Sequence, residues 1–241
     1  MEDKSISLNK FISQTGICSR READQWILDG RVKINGKPTQ KGNRVFSGDK
    51  VTVDGKPLKA KPKPIYLAFH KPVGITCTTD RRDKDNIIDF LKYPARIFPI
   101  GRLDKASSGL IFLTNDGDIV NEILREENQH EKEYIVKVNR PISNRFVERM
   151  SQGIPILGTK TKRCIVEKQS KFVFRIILTQ GLNRQIRRMC EFCDYKVVSL
   201  KRVRIMQVRL GQLQVGKWRH LSDKENQQIR RQIQQPRKRK S

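Results

Sequence analysis

Apolar residues in the first sixty positions repeat with the spacing of a helix and then with the alternation of a strand. Two groups share one helical face each: Leu8, Phe11 and Ile12, then Ala23, Trp26 and Ile27. Each group ends at a glycine, as helix C-termini commonly do. Two short alternating segments follow, and each runs into a turn pair, Asn35-Gly36 and Asp54-Gly55. The pattern predicts two helices and then a small antiparallel sheet.

The second helix of this region carries an unusual charge at its start. Ser19 and Glu22 have the spacing of a capping box, which places the start of the helix at Ser19. Arg20 and Arg21 then occupy the first turn, where the helix dipole favours acidic side chains. Charge placed there at a cost to the helix indicates a phosphate ligand.

Beyond residue 65 the pattern changes to longer strands separated by helices. Strand-like segments lie at residues 66–70, 109–114, 134–138 and 172–179. Helical spacing occurs around residues 119–124, 146–150 and 184–192. The Pro- and Lys-rich stretch before residue 65 can continue neither a helix nor a sheet, so it predicts a linker. We expect a mixed, largely antiparallel sheet flanked by helices, and hence an α+β protein.

Charge narrows the class of partner. The chain has 241 residues, with 51 Lys and Arg against 25 Asp and Glu, which gives a formal net charge of +26. The excess is present in the N-terminal region, the central region and the C-terminal tail alike. Such a surface favours a polyanion, because each neutralised phosphate releases counterions. No stretch combines a basic face with a strong apolar face and aromatic anchors, so nucleic acid is favoured over membrane.

Several classes of function are disfavoured. No run of about 18 apolar residues or secretory signal pattern is present, so we expect a cytoplasmic protein without a membrane partner. The sequence has neither a Walker loop nor a dinucleotide fingerprint. Its five cysteines are an odd, scattered set, which predicts reduced thiols. Cys190 and Cys193 form a C-x-x-C pair, but two ligands do not make a zinc site, and we expect no metal.

Candidate chemistry lies in the segment from Gly101 to Leu110, which reads GRLDKASSGL. Asp104 stands between Arg102 and Lys105 in a polar loop that leads into an apolar strand. Flanking cations hold a carboxylate in its ionised form, and an ionised, fixed aspartate can act as a nucleophile or a base. From the residues alone, a loop salt bridge is the competing interpretation of Asp104.

Two resemblances make these expectations specific. Residues 19–23 (SRREA) and 30–36 (GRVKING), in this order of elements, resemble the S4-like RNA-binding domain, a module found in proteins of several activities. The GRLD and SSGL segments, KEY at residues 132–134 and NRQIRRM at residues 183–189 resemble the three motifs of the bacterial pseudouridine synthases that act on ribosomal RNA. The resemblance extends from about residue 7 to about residue 222. Position 107 is Ser where many relatives have Thr, so the hydroxyl is kept.

The resemblance implies a reaction that needs no cofactor, in which uracil is detached from its sugar through N1, turned and rejoined through C5. It implies that Asp104 is the essential carboxylate, which either attacks C1′ or removes the 2′ proton. It implies that Arg187 pairs with Asp104, and that Tyr134 stacks on the flipped base and assists removal of the C5 proton. Without the resemblance, Tyr134 would be a core residue and Arg187 a phosphate contact.

The full prediction is a small N-terminal S4-like αα-β RNA-binding domain joined to a catalytic domain of the pseudouridine synthase fold. The expected boundaries are residues 1–60 for the first domain, 61–65 for a linker, 66–222 for the catalytic domain and 223–241 for a basic, disordered tail. Eight basic residues are predicted to contact RNA: Arg20, Arg21, Lys33, Lys71, Arg102, Lys105, Arg184 and Arg188.

The expected partner is structured RNA, because a target base must leave its stack and does so most easily in a loop or bulge. The resemblance implies a uridine of large-subunit ribosomal RNA and allows a second one in the anticodon loop of a tyrosine tRNA, with the protein acting as a monomer. Two alternatives remain at this point. One is a non-catalytic RNA-binding factor for ribosome assembly. The other is an RNA N-glycoside hydrolase, which needs an activated water and often a second carboxylate.

Overall fold

A computed structural model describes residues 5–125 and 128–234. The chain forms two compact units. The first runs from the first described residue to Pro64 and also contains Pro94–Arg96 and Asn115–Gly117. The second contains the remaining residues. Within the described ranges, no helix is long and apolar enough to cross a membrane.

The first unit has two helices and two small sheets. Its helices are α1 (Leu8–Gln14) and α2 (Arg20–Leu28). Its strands are β1 (Ile6–Ser7), β2 (Val32–Ile34), β3 (Lys37–Pro38), β4 (Arg44–Val45), β5 (Val51–Val53) and β6 (Lys56–Pro57). Four of them form an antiparallel sheet in the order β3-β2-β5-β6, and β1 pairs with β4. The apolar faces of both helices and of β2 and β5 share one core.

Local signals of the sequence are realised in this unit. The Ser19 hydroxyl accepts the Glu22 amide at 3.1 Å, and the Glu22 carboxylate accepts the Ser19 amide at 2.6 Å, so the capping box is complete. The hydrogen bond from the Ser19 backbone lowers the pKa of Glu22. Asn35 and Gly36 both have positive φ, as the predicted two-residue hairpin turn requires. The predicted αα-β arrangement is confirmed.

The second unit is built on a nine-stranded sheet. Its strands are β7 (Tyr66–Lys71), β8 (Phe98–Ile100), β9 (Ser108–Thr114), β10 (Lys132–Val138), β13 (Ile165–Lys168), β14 (Val173–Leu178), β15 (Val197–Ile205), β16 (Val208–Arg209) and β17 (Trp218–His220). A separate hairpin is formed by β11 (Pro155–Ile156) and β12 (Thr159–Lys160).

The main sheet has the order β13-β14-β10-β15-β9-β7-β17, with β16 beside β15 and β8 beside β9. All of its strand pairs are antiparallel except β15 with β9. That parallel pair joins Lys201 to Ser108 and Arg202 to Gly109. The predicted mixed, largely antiparallel sheet is confirmed.

Helices cover both faces of this sheet. They are α3 (Ile87–Leu91), α4 (Gly117–Leu124), α5 (Asn144–Gln152), α6 (Gln185–Phe192) and α7 (Asp223–Gln234). Buried residues of α3, α5 and α6 belong to the core on the face that carries Tyr134. Buried residues of α4 and α7 belong to the core on the opposite face.

The C-terminal region corrects one expectation. Residues 223–234 form helix α7 rather than part of a disordered tail, whereas residues 235–241 lie outside the described part of the chain. Ile229 is buried in the core beneath the sheet, and Ile233 packs beside it. Ser222 and Glu225 form a second capping box, and Arg219 holds Glu225 through two contacts of 2.7 Å. The Gln- and Arg-rich composition hid two apolar positions at helical spacing.

Candidate active site

Asp104 lies in the loop between β8 and β9, and its carboxylate is about one third exposed (32%). Several hydrogen bonds fix the loop. Within the loop, the backbone amide of Ser107 donates to the backbone carbonyl of Asp104 at 3.0 Å. From outside it, the amide of Gly74 donates to the carbonyl of Lys105 at 2.8 Å. The amide of Leu103 donates to the sulfur of Cys77 at 3.3 Å. The carboxylate is therefore presented from a fixed backbone rather than a free loop.

Arg187 of α6 faces this carboxylate, with its Nε 3.6 Å from Asp104 Oδ2. This is an ion pair without a hydrogen bond, because the distance exceeds hydrogen-bond range. The guanidinium donates instead, through Nη2, to the carbonyl of Ala106 at 2.9 Å and the hydroxyl of Ser107 at 3.1 Å. Ser107 uses its side-chain hydroxyl for this contact. Arg187 thus places a buried positive charge beside Asp104 and also braces its loop.

Tyr134 of β10 lies in the same cleft, which has a volume of about 990 Å³ and is also lined by Asp104 and Arg187. The ring belongs to the core of its sheet face and is only 8% exposed, so it is both a core residue and a wall of the cleft. The structure therefore brings together the three residues that the sequence motifs place far apart in the chain. Nothing in their spacing alone required this.

Lys71 was predicted to contact RNA, and that prediction is wrong. Its side chain is completely buried, and its ammonium donates to the carbonyls of Pro72 and Ile75, both at 2.7 Å. Burial lowers the pKa of Lys71, while the nearby charge of Asp104 opposes that shift. Lys71 closes the turn after β7 and lies below the Asp104 loop instead of at the surface.

Four other residues predicted to contact RNA lie around the cleft, and they differ in exposure and in the partners that they already have. Arg102 and Arg184 are exposed and line it. Lys105 also lines it, but its ammonium binds Asp85 at 2.7 Å, which raises the pKa of Lys105. Arg188 is half-buried and donates to the carbonyl and side chain of Asn183 just before its own helix.

The remaining three predicted RNA contacts belong to the first unit. Arg20 and Arg21 are exposed at the start of α2, as the sequence indicated, and Lys33 is exposed on β2. All three are therefore exposed basic side chains of that unit.

Sequence analysis missed Arg202, which lies in the middle of β15. It is 4% exposed, lines the cleft, and has its guanidinium carbon 6.0 Å from the centre of the Tyr134 ring. A charged run such as KRVR at residues 201–204 resembles a surface segment, so its burial was not foreseen. Alternation within the run gave no signal, because a bulge separates the Tyr134–Arg202 pair from the Glu133–Arg204 pair.

The cysteine pair Cys190 and Cys193 has no further metal ligands beside it in the part of the chain that the structure describes. Cys190 and Cys193 are buried free thiols, and burial raises the pKa of both. Within residues 5–125 and 128–234, no group of three or more His, Cys, Asp and Glu side chains could hold a metal ion.

Comparison with known proteins agrees with this geometry. Residues 65–192 match the family model "RNA pseudouridylate synthase", and residues 7–51 match the model "S4 domain". The "dual-specificity RNA pseudouridine synthase RluF" of Salmonella typhi is 55% identical over 93% of this chain and 78% of its own length. The protein of the same name in Escherichia coli K12 is 54% identical over the same shares.

More distant relatives span the whole fold. The "ribosomal large subunit pseudouridine synthase B" of Bacillus subtilis is 33% identical over 92% of this chain and 95% of its own length. A solved structure described as a pseudouridylate synthase is 28% identical, with a TM-score of 0.69 over 93% of this chain and 99% of that chain. With an S4 domain, the sheet fold and the motif residues gathered in one cleft, this chain belongs to the RNA pseudouridine synthase family and is an enzyme of that class.

Proposed function

We propose that this enzyme converts a uridine of large-subunit ribosomal RNA to pseudouridine, with Asp104 as the essential carboxylate. The observation that carries the proposal is the meeting of Asp104, Arg187 and Tyr134 in one cleft of a family member. Relatives named as large-subunit and dual-specificity synthases support this choice of RNA. A second substrate, a uridine in the anticodon loop of a tyrosine tRNA, is part of the proposal and rests on the term "dual-specificity" in the names of relatives.

Each residue has a separate task in the proposed reaction. Asp104 attacks C1′ of the target nucleotide or removes its 2′ proton, and either step needs an ionised carboxylate. Arg187 keeps the carboxylate charged and its loop in place. Tyr134 stacks against the flipped base and assists removal of the C5 proton. The isomerisation has no net oxidation and no hydrolysis of an activated substrate, so these side chains suffice in the proposal.

The organisation of the chain is also part of the proposal. Residues 1–60 bind structured RNA as an S4-like domain, residues 61–65 are a linker, and residues 66–222 carry the catalysis. Arg20, Arg21 and Lys33 contact phosphate on the first domain, and Arg102, Lys105, Arg184 and Arg188 do so around the cleft. The protein acts in the cytoplasm as a monomer.

The proposal is tested with ribosomal RNA that carries C5-tritiated uridine. A synthase releases tritium and leaves the RNA chain and its bases in place, whereas a glycoside hydrolase releases free uracil and a non-catalytic assembly factor releases neither. We expect stoichiometric tritium release at one position. Free uracil, or no reaction on any ribosomal RNA fragment or tRNA, would refute the proposal.

The same assay tests Asp104. Asp104→Asn should abolish tritium release and leave RNA affinity within a few fold, because one charge changes little of the phosphate contribution to affinity in a protein of net charge +26. Asp85→Asn is a matched control, since it removes an aspartate that also forms an ion pair in this region, in its case with Lys105. Turnover by the Asp104→Asn variant would show that Asp104 is not the essential carboxylate.

A further inference from the structure

Arg202 is held in the cleft by its neighbours on both sides. On β15 it pairs with Tyr134 of β10 and with Gly109 of β9, so it lies between the strand that follows Asp104 and the strand that carries Tyr134. Its Nε donates to the carbonyl of Leu110 at 2.7 Å. This hydrogen bond fixes the guanidinium, whose central carbon lies 6.0 Å from the centre of the Tyr134 ring.

One side of this guanidinium is unsatisfied. Nη2 of Arg202 is buried and has no hydrogen-bond partner among residues 5–125 and 128–234. A buried charged donor without a partner is costly, and such groups in native proteins call for a reason. Arg204, two residues along the same strand, shows the usual solution, because it pairs with Glu133 at 2.7 Å and Glu131 at 3.2 Å.

The surroundings of Arg202 strengthen the anomaly. Lys71 and Arg187 are buried in the same region, and the charge of Arg202 acts on Lys71 in the direction that lowers the pKa of Lys71. Asp104 pairs with Arg187 from within the cleft, and its charge acts on Lys71 in the direction that raises the pKa of Lys71. The cluster of Lys71, Arg187 and Arg202 therefore holds more buried positive charge than Asp104 can neutralise.

We propose that Arg202 donates through Nη2 to a carbonyl oxygen of the target uracil and stabilises that base as an anion once it is detached. The inference rests on the function proposed above. It assigns to the cleft a substrate contact beyond Asp104, Tyr134 and Arg187. Fixed donors directed at a site of developing negative charge accelerate a reaction because they need no reorganisation.

The charge balance of the step explains why a cation is needed. When the C1′–N1 bond breaks, its electron pair stays on the base, which becomes a uracil anion with charge shared among N1, O2 and O4. The sugar is compensated either by a new bond from Asp104 to C1′ or by loss of its 2′ proton to Asp104. The anion then bonds C1′ through C5 while the Asp104–C1′ bond breaks or, on the other route, while Asp104 returns the proton to C2′. The C5 proton is then lost and N1 takes up a proton.

The symmetry of uracil lets one fixed donor serve both orientations. A half-turn about the N3–C6 axis exchanges N1 with C5 and, with them, the C2 and C4 carbonyls. A donor that contacts O2 before the turn meets O4 in the same place after it. Arg202 can therefore remain locked between β9 and β10 throughout the reaction.

The test compares two leaving groups in single-turnover reactions at saturating enzyme. RNA carries either uridine or 5-fluorouridine at the target position, and loss of the starting nucleoside is followed in nuclease digests. Fluorine makes the detached base a weaker base, so its anion depends less on a cation. For Arg202→Met we expect a rate about 100-fold below wild type with uridine, the size of effect found for one such donor. With 5-fluorouridine the loss should shrink to about tenfold or less.

Arg204→Met is the matched control, because it removes a half-buried arginine from the same strand on the side of Glu133. It should lower stability but lose rate equally on the two RNAs. Arg202→Lys keeps the positive charge and is the variant to use if Arg202→Met does not fold. Its rate should fall by an intermediate amount, and by more with uridine than with 5-fluorouridine. Equal losses on both RNAs for the Arg202 variants would overturn the inference. If the wild-type enzyme leaves uridine unchanged, the proposed function fails instead.

Discussion

At the scale of single residues, the site depends on a difference between two neighbouring arginines. Arg187 reaches the Asp104 loop, and Arg188 turns back to Asn183. Successive residues on a helix are rotated by about 100°, so both cannot serve one small pocket. The motif at residues 183–189 gave no means of choosing between them without the expectation drawn from the family.

Replacing each of these arginines by alanine should separate their contributions. Arg187→Ala loses charged hydrogen bonds to Ala106 and Ser107, which are worth about 1.5–3 kcal/mol and correspond to a rate roughly 10- to 150-fold lower. Arg188→Ala should change the chemical rate by less than about threefold, because its bonds to Asn183 are at the helix surface. Single-turnover kinetics at saturating enzyme measures this contrast. Equal rates would contradict it, and a larger loss for Arg188 would reverse the assignment.

At the scale of elements, sequence pattern identified most of the frame. Segments 66–70, 109–114, 134–138 and 172–179 correspond to β7, β9, β10 and β14. These strands could be predicted because their buried positions carry apolar side chains that follow one another or alternate along the chain. The pattern missed β15, a strand rich in basic residues, of which Arg202 is buried by contacts far away in sequence. Arg202 was missed for the same reason, since its burial depends on β9 and β10.

Helix α7 was missed although a local signal was present. Ser222 and Glu225 have the same spacing as Ser19 and Glu22, which correctly predicted the start of α2. The low hydropathy of residues 223–234 outweighed that signal. Ile229 and Ile233, one helical turn apart, suffice to bind the helix to the sheet.

The contact between Arg219 and Glu225 at the start of α7 should stabilise the protein to an extent that depends on pH. Arg219 lowers the pKa of Glu225 below its usual value of 4.5. A lowered carboxyl pKa adds stability above the pKa of the unfolded chain and loses it as the pH falls through the folded value. Glu225→Gln should therefore reduce the free energy of unfolding by roughly 0.5–1 kcal/mol at pH 7 and by much less near pH 3. Urea unfolding at the two pH values tests this, and a loss independent of pH would contradict it.

At the scale of the whole molecule, positive charge is distributed over both units. The exposed Arg20, Arg21 and Lys33 belong to the first, and Arg102 and Arg184 to the second. Phosphate contacts add to affinity without depending on sequence, so each unit should contribute separately to RNA binding.

Deleting residues 1–60 should weaken binding to ribosomal RNA and reduce the salt dependence of the affinity while the rest stays folded. If Arg20, Arg21 and Lys33 each contact one phosphate, the slope of log K against log salt should fall by about two. Changing these three residues to glutamine in the full chain is the matched control and should reproduce that change in slope. Unaltered affinity after the deletion would show that the first unit does not bind RNA.

The single parallel contact between β15 and β9 divides the sheet into two antiparallel groups of strands, joined through only two residue pairs. Asp104 precedes β9 in one group, whereas Tyr134 lies on β10 in the other and Arg187 lies on helix α6, which follows β14. At Gly109 the groups approach so closely that a side-chain carbon would lie 2.2 Å from the carbonyl oxygen of Arg202. Because this contact links distant parts of the chain, it should form late in folding. In refolding experiments, enzyme activity should return after the far-ultraviolet signal of the strands, since neither group alone contains an active site.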